Sequence, residues 1–548
     1  MRRPSLFLGA ILGGLTSLPL IALSYLGQQL AGLPFVPFDL FDWLARVLPG
    51  GIITTGIDTM VRVIKLLSLG PTSTTAKRIE QSSGILLVIV GGVIVGLIVA
   101  LIVRSKNWTG SGVGAVAGLV VFLFIAVVEV RLGNISSNPG IALLWLAVVI
   151  IGWGILLGAW LASERSLAMA PAMTEEYHAA RRALLAKLGG AVGVALAAWG
   201  IGRLLEAQRL ASSAGQALSG LGGATPEPAS VKPGTPLSPL ATPTTTEGIT
   251  TPERISPAPG TRSEVTPNDS FYRIDIDMLP PRVNSSSWVL QVAGLFDRPR
   301  PLMLSDLVAY PAVTQPITLS CISNPVGGDL ISTSNWTGVR LRDVLKDLGL
   351  RSEAKELSVK AADGFYESVE MQAMMDPRTL LVYGMNGDTL PVEHGFPLRI
   401  YIPNHYGMKQ PKWITSIEAI DHQGRGYWVD RGWSAEAHPQ ILSIIDTVAK
   451  DHIENGQVPV GGIAWAGDRG IKKVEVQVDG GGWVETLLRT PPLSGLTWVL
   501  WRYDWPVVRG RHTFAVRATD GTGALQIEQP HDPYPDGATG YHSVTVTI

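Results

Sequence analysis

All thiol chemistry open to this chain rests on Cys321, the single cysteine among 548 residues. One cysteine excludes an intrachain disulfide, a CxxC redox pair, a zinc finger, a chain-held iron–sulfur cluster and a covalent c-type haem. What remains is a thiol, a thiolate, or one ligand to a metal. The segment around it reads TLSCISNPVGGDLISTSNWTGVRLRDVL. Alone, a cysteine at the end of an apolar strand also reads as a small buried hydrophobe. Its setting favours a ligand: Ser323-Asn324-Pro325 and Gly327-Gly328 allow close backbone approach, and Thr337-Gly338 precede a short helix. A thiolate there suits a soft metal centre.

The nine histidines are His178, His394, His405, His422, His438, His452, His512, His531 and His542. None lies in the apolar segments described next, so no b-type haem held by histidines within membrane helices is expected.

The elements that must position Cys321 divide sharply along the chain. Hydrophobic residues make up 46% and charged residues 16% of the whole, and the apolar excess sits in the first 205 or so. Gly84–Val103 carries no charge over a length that spans about 30 Å of hydrocarbon. Val113–Val128, Gly140–Ala162 and Leu6–Leu26 read the same way, and Leu184–Gly202 is a weaker fifth span. Glu129 sits at the end of one span, and no proton relay is evident. Leu40–Leu69 carries Asp42, Arg46, Asp58, Arg62 and Lys65, which favours an interfacial amphipathic stretch over a sixth span. Five spans leave Arg104, Lys106, Arg165, Arg181, Arg182 and Lys187 inside and the rest of the protein outside. The balance of 44 basic and 45 acidic residues offers no field for nucleic acid.

Between Ala211 and Pro267 lie ten prolines among Thr, Ser and Gly, a composition that stays extended. Past Asn268 short mixed signals begin. Trp288–Val292, Pro397–Ile402 and Trp413–Ile420 read as strands, Ser305–Ala309 and Arg340–Asp347 as short helices. From about Gln440 the pattern is purely β. Ile471–Val478 alternates into Asp479-Gly480, a hairpin signal, and Thr513–Ala518 and His542–Ile548 alternate likewise. The expected organisation is a membrane domain of about five helices (1–210), a linker (211–267), an α+β domain (268–438) and an immunoglobulin-like β-sandwich (439–548).

Two long motifs carry a resemblance: the Cys321 segment with NPVGGDLI and NWTGV, and the run MNGDTLPVEHGFPLRIYIPNHYGMKQPKWITSIE over Met385–Glu418. On these, residues 268–548 resemble the sulfite oxidase family of molybdopterin-dependent oxidoreductases, with a molybdopterin-binding domain and a dimerisation domain. The resemblance implies that Cys321 ligates molybdenum beside two dithiolene sulfurs. It implies that Phe271-Tyr272-Arg273-Ile274-Asp275 wrap the pterin, with Arg273 the basic group nearest the metal and a catalytic residue with Cys321. Asp363 (in ADGF), His394 and Arg399 (in HGFPLR), and Lys412 with its neighbours Gln410 and Pro411 complete the implied cofactor contacts. Arg and Lys suit a terminal phosphate; His, Asp and backbone groups suit a pterin edge. His405, His422 and His438 have no such support and read as structural.

The departures bear on the substrate. Asn324, Pro325 and Val326 stand where the family's sulfite oxidases have an arginine, no tyrosine occupies Val429-Asp430-Arg431, and PYPDGATGYHS near the chain end lacks a second arginine. A sulfite dianion is therefore poorly served, and the resemblance implies another oxygen-atom transfer, on a sulfoxide or N-oxide. A sulfite oxidase-type dehydrogenase and a cofactor-free binding module on the same scaffold stay as alternatives. The implied partners are a small-molecule substrate, a separate electron-transfer protein, the lipid bilayer, and a second copy of the chain through the C-terminal domain.

Overall fold

The computed structural model describes residues 6–67, 69–105, 109–132, 139–169, 189–205, 255–281 and 283–548, with isolated positions 182, 186 and 208. The proline-rich stretch 211–254 and the basic positions Lys106, Arg181 and Lys187 lie outside the described residues. The chain divides into two compact units, Met1–Leu48 with Ala76–Pro226, and Pro49–Thr75 with Glu227–Ile548.

The first unit is helical: α1 (Leu6–Ala31), α2 (Val36–Val47), then, beyond α3 (Gly50–Leu66), α4 (Thr72–Ser105), α5 (Gly110–Leu132) and α6 (Pro139–Met169), followed by α7 (Gly189–Leu205). Helices α1, α4, α5 and α6 are long and apolar enough to cross a membrane; α7, expected as a fifth span, is apolar but shorter. Two glycine seams explain how they pack. A Cβ on Gly13 would stand 2.1 Å from the Gly92 carbonyl oxygen, and one on Gly114 would stand 2.1 Å from that of Gly154. Gly9, Gly92 and Gly96 line one seam; Gly110, Gly118 and Gly158 line the other. Where apolar burial cannot drive association, such four-residue spacing lets backbones approach closely. Leu40–Leu69 resolves into the amphipathic pair α2 and α3 rather than one span.

In the second unit the core sheet orders the strands Leu302–Met303, Val289–Gly294, Ile414–Ile420, Glu356–Ala361 and Tyr366–Glu370. Val289–Gly294 and Ile414–Ile420 run parallel; the other pairs are antiparallel. Beside it the strands Ala312–Ser320, Ile331–Arg340, Leu380–Met385 and Asp388–Thr389 form a second sheet, with Arg399–Tyr401 also paired to Leu380–Met385. Leu290, Leu357, Val339, Leu381, Ile400 and Ile417 fuse both sheets into one core. The expected short helices form at Leu304–Val308 and Leu341–Asp347.

From Leu442 the chain is all antiparallel strand. One four-stranded sheet holds Leu442–Val448, Gln457–Trp465, Val499–Pro506 and Leu487–Leu488; the other holds Val484–Glu485, Ile471–Val478, Arg511–Asp520 and His542–Thr547. Val458, Val460 and Trp501 from the first meet Val474, Phe514 and Val516 from the second in a shared core. The Asp479-Gly480 hairpin forms as its sequence predicts, with φ of 52° and 71°, values that Asp tolerates and Gly adopts freely.

Among the described residues, docking on this unit is already in place at Ile255, whose carbonyl accepts from Arg489 (3.1 Å), earlier than the linker boundary expected at 267. Arg262 pairs with Asp446 (2.6 Å), Glu264 with Arg489 (2.8 Å), and the Thr266 N–H donates to the Thr333 carbonyl (2.8 Å). Those ion pairs and one strand-edge hydrogen bond give proline-rich chain a fixed course that composition alone does not suggest.

Candidate active site

Cys321 ends the strand Ala312–Ser320, and its N–H donates to the Leu330 carbonyl (2.9 Å). Between those two residues the chain makes a closed loop. Asn324 N–H donates back to the Cys321 carbonyl (3.1 Å), Gly328 N–H to Pro325 (2.8 Å), and the Asn324 Oδ1 accepts from Leu330 N–H (3.0 Å). The loop requires its glycines. Gly327 has φ of 68°, and a Cβ on Gly328 would stand 2.1 Å from Asn324 Oδ1. The Cys321 side chain is buried, its Sγ 3.0 Å from Ser323 Oγ. Burial pushes its thiol up from the usual range, and the Ser323 hydroxyl and nearby backbone N–H groups only partly oppose that. At neutral pH the cofactor-free thiol is protonated, so binding a metal releases a proton.

The structure brings most of the expected site residues against one another, and Tyr272 of that group stands near Cys321. Phe271 packs in the sheet core, 5.4 Å from the Trp336 ring and 5.3 Å from that of His394. Tyr272 stacks on Phe271, and its backbone N–H donates to Ser332 Oγ (3.1 Å). Asp275 is fully buried and receives both Arg273 and Lys412. Lys412 Nζ also donates to the carbonyls of Ile274 and Glu393 (3.3 and 3.2 Å), so Ile274 contributes its backbone while its side chain faces solvent. His394 Nε2 lies 2.9 Å from the Asn268 carbonyl, and Arg399 Nη1 donates to the His394 carbonyl (3.0 Å) with its guanidinium 4.8 Å from the Trp336 ring.

Three cations, Arg273, Arg399 and Lys412, thus gather around Asp275. Burial pulls Lys412 down to about 8, against the pull of Asp275, with Arg399 and Arg273 adding repulsion. Burial likewise lowers Arg399 to about 10. Asp363 is buried with its Oδ1 accepting the Phe365 N–H (3.0 Å), and burial raises it to about 7. Gln410 Nε2 donates to the carbonyls of Ile402 and His405 (3.2 and 2.9 Å), and the Pro411 carbonyl accepts from Ile400 N–H. These two act as scaffold for the chain leading to Lys412.

Three further features escaped sequence reasoning. Tyr406 is buried near Cys321, close enough for the cysteine to weigh on its ionisation, and its hydroxyl accepts from Gln440 N–H (2.9 Å). Trp433 stands 5.3 Å from Tyr534 and 6.4 Å from Trp428. Asn386, with φ of 52°, ties Ser334, Asn335, Thr266 and Asn268 together. Only Asn386 carried a local signal, the Asn-Gly turn pair.

Of the histidines read as structural, His405 is buried with Nδ1 2.8 Å from the Pro403 carbonyl and its ring 4.9 Å from that of His438; His422 is exposed beside Asp421. Burial pulls His405 down to about 4. The unfolded chain therefore binds a proton near pH 6.5 that the folded site refuses until about 4, so stability is lost as pH falls through that window. Asp363 acts with the opposite sign between about 4 and 7, because there the folded state holds the extra proton. Replacing His405 with Gln is expected to remove up to about 3 kcal/mol of the acid-side loss. Denaturant midpoints at pH 4.5 and pH 7 for both proteins check this.

Residues 277–428 match the family described as the oxidoreductase molybdopterin binding domain. Over 275 residues the chain is 30% identical to sulfite oxidase of Arabidopsis thaliana, covering 41% of this chain and 70% of that protein. Over 300 residues it is 28% identical to mitochondrial sulfite oxidase of Homo sapiens, covering 46% and 55% respectively, so the chain spans about half the length of that relative. Over 152 residues it is 32% identical to a protein of Azospira oryzae named as a protein-methionine-sulfoxide reductase subunit, YedZ1, covering 28% and 56%. With the Cys321 loop and the cations around Asp275 already placed, these matches lead to one conclusion: the chain belongs to the sulfite oxidase family of molybdenum-dependent, molybdopterin-binding oxidoreductases.

Proposed function

We propose that this protein is a membrane-anchored enzyme that reduces a neutral oxo compound, a sulfoxide or N-oxide, at a molybdenum held by Cys321. The residues fit such a group. Arg273 Nη2 and Gln410 Oε1 are buried polar atoms with no hydrogen-bond partner, and Arg273, Arg399 and Lys412 converge on Asp275, with Asp363 and Asp277 nearby, so an anion entering there would meet three cations. Arg399 and Lys412 would hold the terminal phosphate, Arg273 would stand nearest the metal, and His394, Asp363 and the rest of the Phe271–Asp275 segment would hold the pterin. When bound, the cofactor supplies two-electron oxygen-atom transfer. The reduction takes up two electrons and two protons: R2SO yields R2S and water. The chain's own part is to exclude bulk water, to orient the pterin with Phe271 and His394, and to present Cys321 from a loop braced by Asn324.

The observation that carries the substrate reading is the uncharged lining of the small cleft beside this loop. It is lined by Ser320, Asn324, Val326, Tyr406, Gln440 and Gln526 among others, and no charged side chain lines it. A dianion entering it would lose hydration with no cation in return, which costs several kcal/mol. A neutral S=O or N–O dipole needs only donors, and the Asn324 and Gln440 amides are of that kind. The methionine-sulfoxide name borne by the Azospira relative agrees with this reading. Electrons would come from a separate redox protein. The soluble half would lie outside the cell membrane, as the basic loops suggest, with the exposed Ile52, Leu66 and Leu67 of α3 in the lipid interface. The paired four-stranded sheets would form an immunoglobulin-like sandwich through which two copies associate.

A dye-coupled substrate screen on the purified full-length chain tests the reading. Turnover with a dialkyl sulfoxide or trimethylamine N-oxide should exceed turnover with sulfite by at least about tenfold, corresponding to 1.4 kcal/mol of transition-state preference. Faster sulfite oxidation would overturn it.

A further inference from the structure

Residues 49–75 lie in sequence between α2 and the apolar part of α4, yet they belong to the unit that contains Cys321. They touch that unit at three places. A Cβ on Gly50 would stand 2.7 Å from the Arg431 carbonyl oxygen, so this glycine is what permits the close approach. Arg62 Nη2 pairs with Asp532 Oδ2 at 2.9 Å. The backbone N–H of Thr72, first residue of α4, donates to Asp329 Oδ2 at 2.7 Å, a carboxylate on one of the first-turn donors that a helix leaves open. Along α3, Val61 and Ile64 are buried, whereas Ile52 and Leu66 are exposed.

The three contacted segments lead to Cys321, one directly and two through packed side chains. Asp329 precedes Leu330, whose carbonyl receives the Cys321 N–H. Arg431 precedes Trp433, whose ring meets Tyr534, and Tyr534 lies two residues beyond Asp532. Gly537, in the same loop as Tyr534, backs on to the Tyr406 hydroxyl, where a Cβ would stand 2.5 Å away. Tyr406 in turn neighbours Cys321. A segment fixed at all three places is tied to the surroundings of Cys321 at more than one point.

We infer that residues 49–75 are a strap over the rim of the Cys321 site, and that the strap limits the size of molecule able to reach the cysteine. Two properties suit it to that work. Its holds are individually weak: the Arg62–Asp532 pair is largely exposed, and such pairs contribute little. Both its ends continue into helices of the membrane unit, so it cannot diffuse away when those holds open. The inference rests on Cys321 marking the site but not on the identity of metal or substrate.

The lone cysteine supplies a native reporter. Full-length chain prepared without molybdenum cofactor is treated with N-ethylmaleimide and with a ~5 kDa polyethylene glycol maleimide, and the ratio of the two Cys321 alkylation rates is read. Arg62→Glu should raise the large-reagent rate about threefold relative to the small one. Asp329→Ala, which removes the hydrogen bond to Thr72, should raise it about fivefold. Combining Arg62→Glu with Asp532→Arg should restore the wild-type ratio. A ratio unchanged in both single variants overturns the strap. So does a raised ratio that the charge swap fails to reverse, because that result means general loosening rather than loss of one contact.

Discussion

Cys321→Ser is expected to lower turnover by at least about a hundredfold, more than the 10–100-fold typical of losing a partner one shell further out, while the fold survives. The two effects separate because they have different causes. The backbone of Cys321 is fixed by the Leu330 and Asn324 hydrogen bonds, which serine keeps. The side chain is buried with Ser323 Oγ within reach, so a hydroxyl finds a partner and the stability cost should stay near about 1 kcal/mol. What serine does not provide is a soft, polarisable thiolate. Steady-state rates and a thermal melt on the same preparation measure both; a loss of activity matched by collapse of the melt would assign Cys321 a packing role instead.

Asp275→Ala is expected to be the most destabilising single change at the cofactor cradle. Asp275 is fully buried and is shared by Arg273 and Lys412. Removing it leaves two cations facing each other, with Arg399 adding to their repulsion. Breaking a buried pair in this way costs about 3–5 kcal/mol, which for a domain of this size lowers Tm by roughly 10 °C. The bound cofactor's phosphate would offset part of the loss, so the cofactor-free protein should suffer more than the loaded one. Melts of both forms test this, and an equal shift in the two would show that the anion does not share these cations. The conservative Asp275→Asn keeps the shape, removes the charge, and should fall between.

Legibility in the sequence followed the range of the interactions. The membrane helices were readable because charge-free length is a local property, as in Gly84–Val103. Local alternation likewise carried Ile471–Val478, which forms over those same residues. Cys321, His394, Arg399 and Lys412 sat in two contiguous motifs and Phe271–Asp275 in a short segment before them, and the structure places Phe271, Tyr272, Arg273, Asp275, His394, Arg399 and Lys412 around one another. Contacts between distant segments were not readable. Tyr406 gains its meaning from Cys321, 85 positions away along the chain, and Trp433 from Tyr534. The glycine seams of the first unit depend on which helices face each other, which four-residue spacing within one helix does not specify. The docking of 255–267 depends on Asp446 and Arg489, and proline content alone points the other way.

The most direct test of the central claim, that Cys321 is a ligand to molybdenum, is X-ray absorption at the molybdenum edge on the purified full-length protein and on Cys321→Ser. Molybdenum is expected in the wild-type protein at about one atom per chain, with one sulfur neighbour fewer in the variant. A wild-type protein free of molybdenum, or an identical sulfur shell in both proteins, would contradict it.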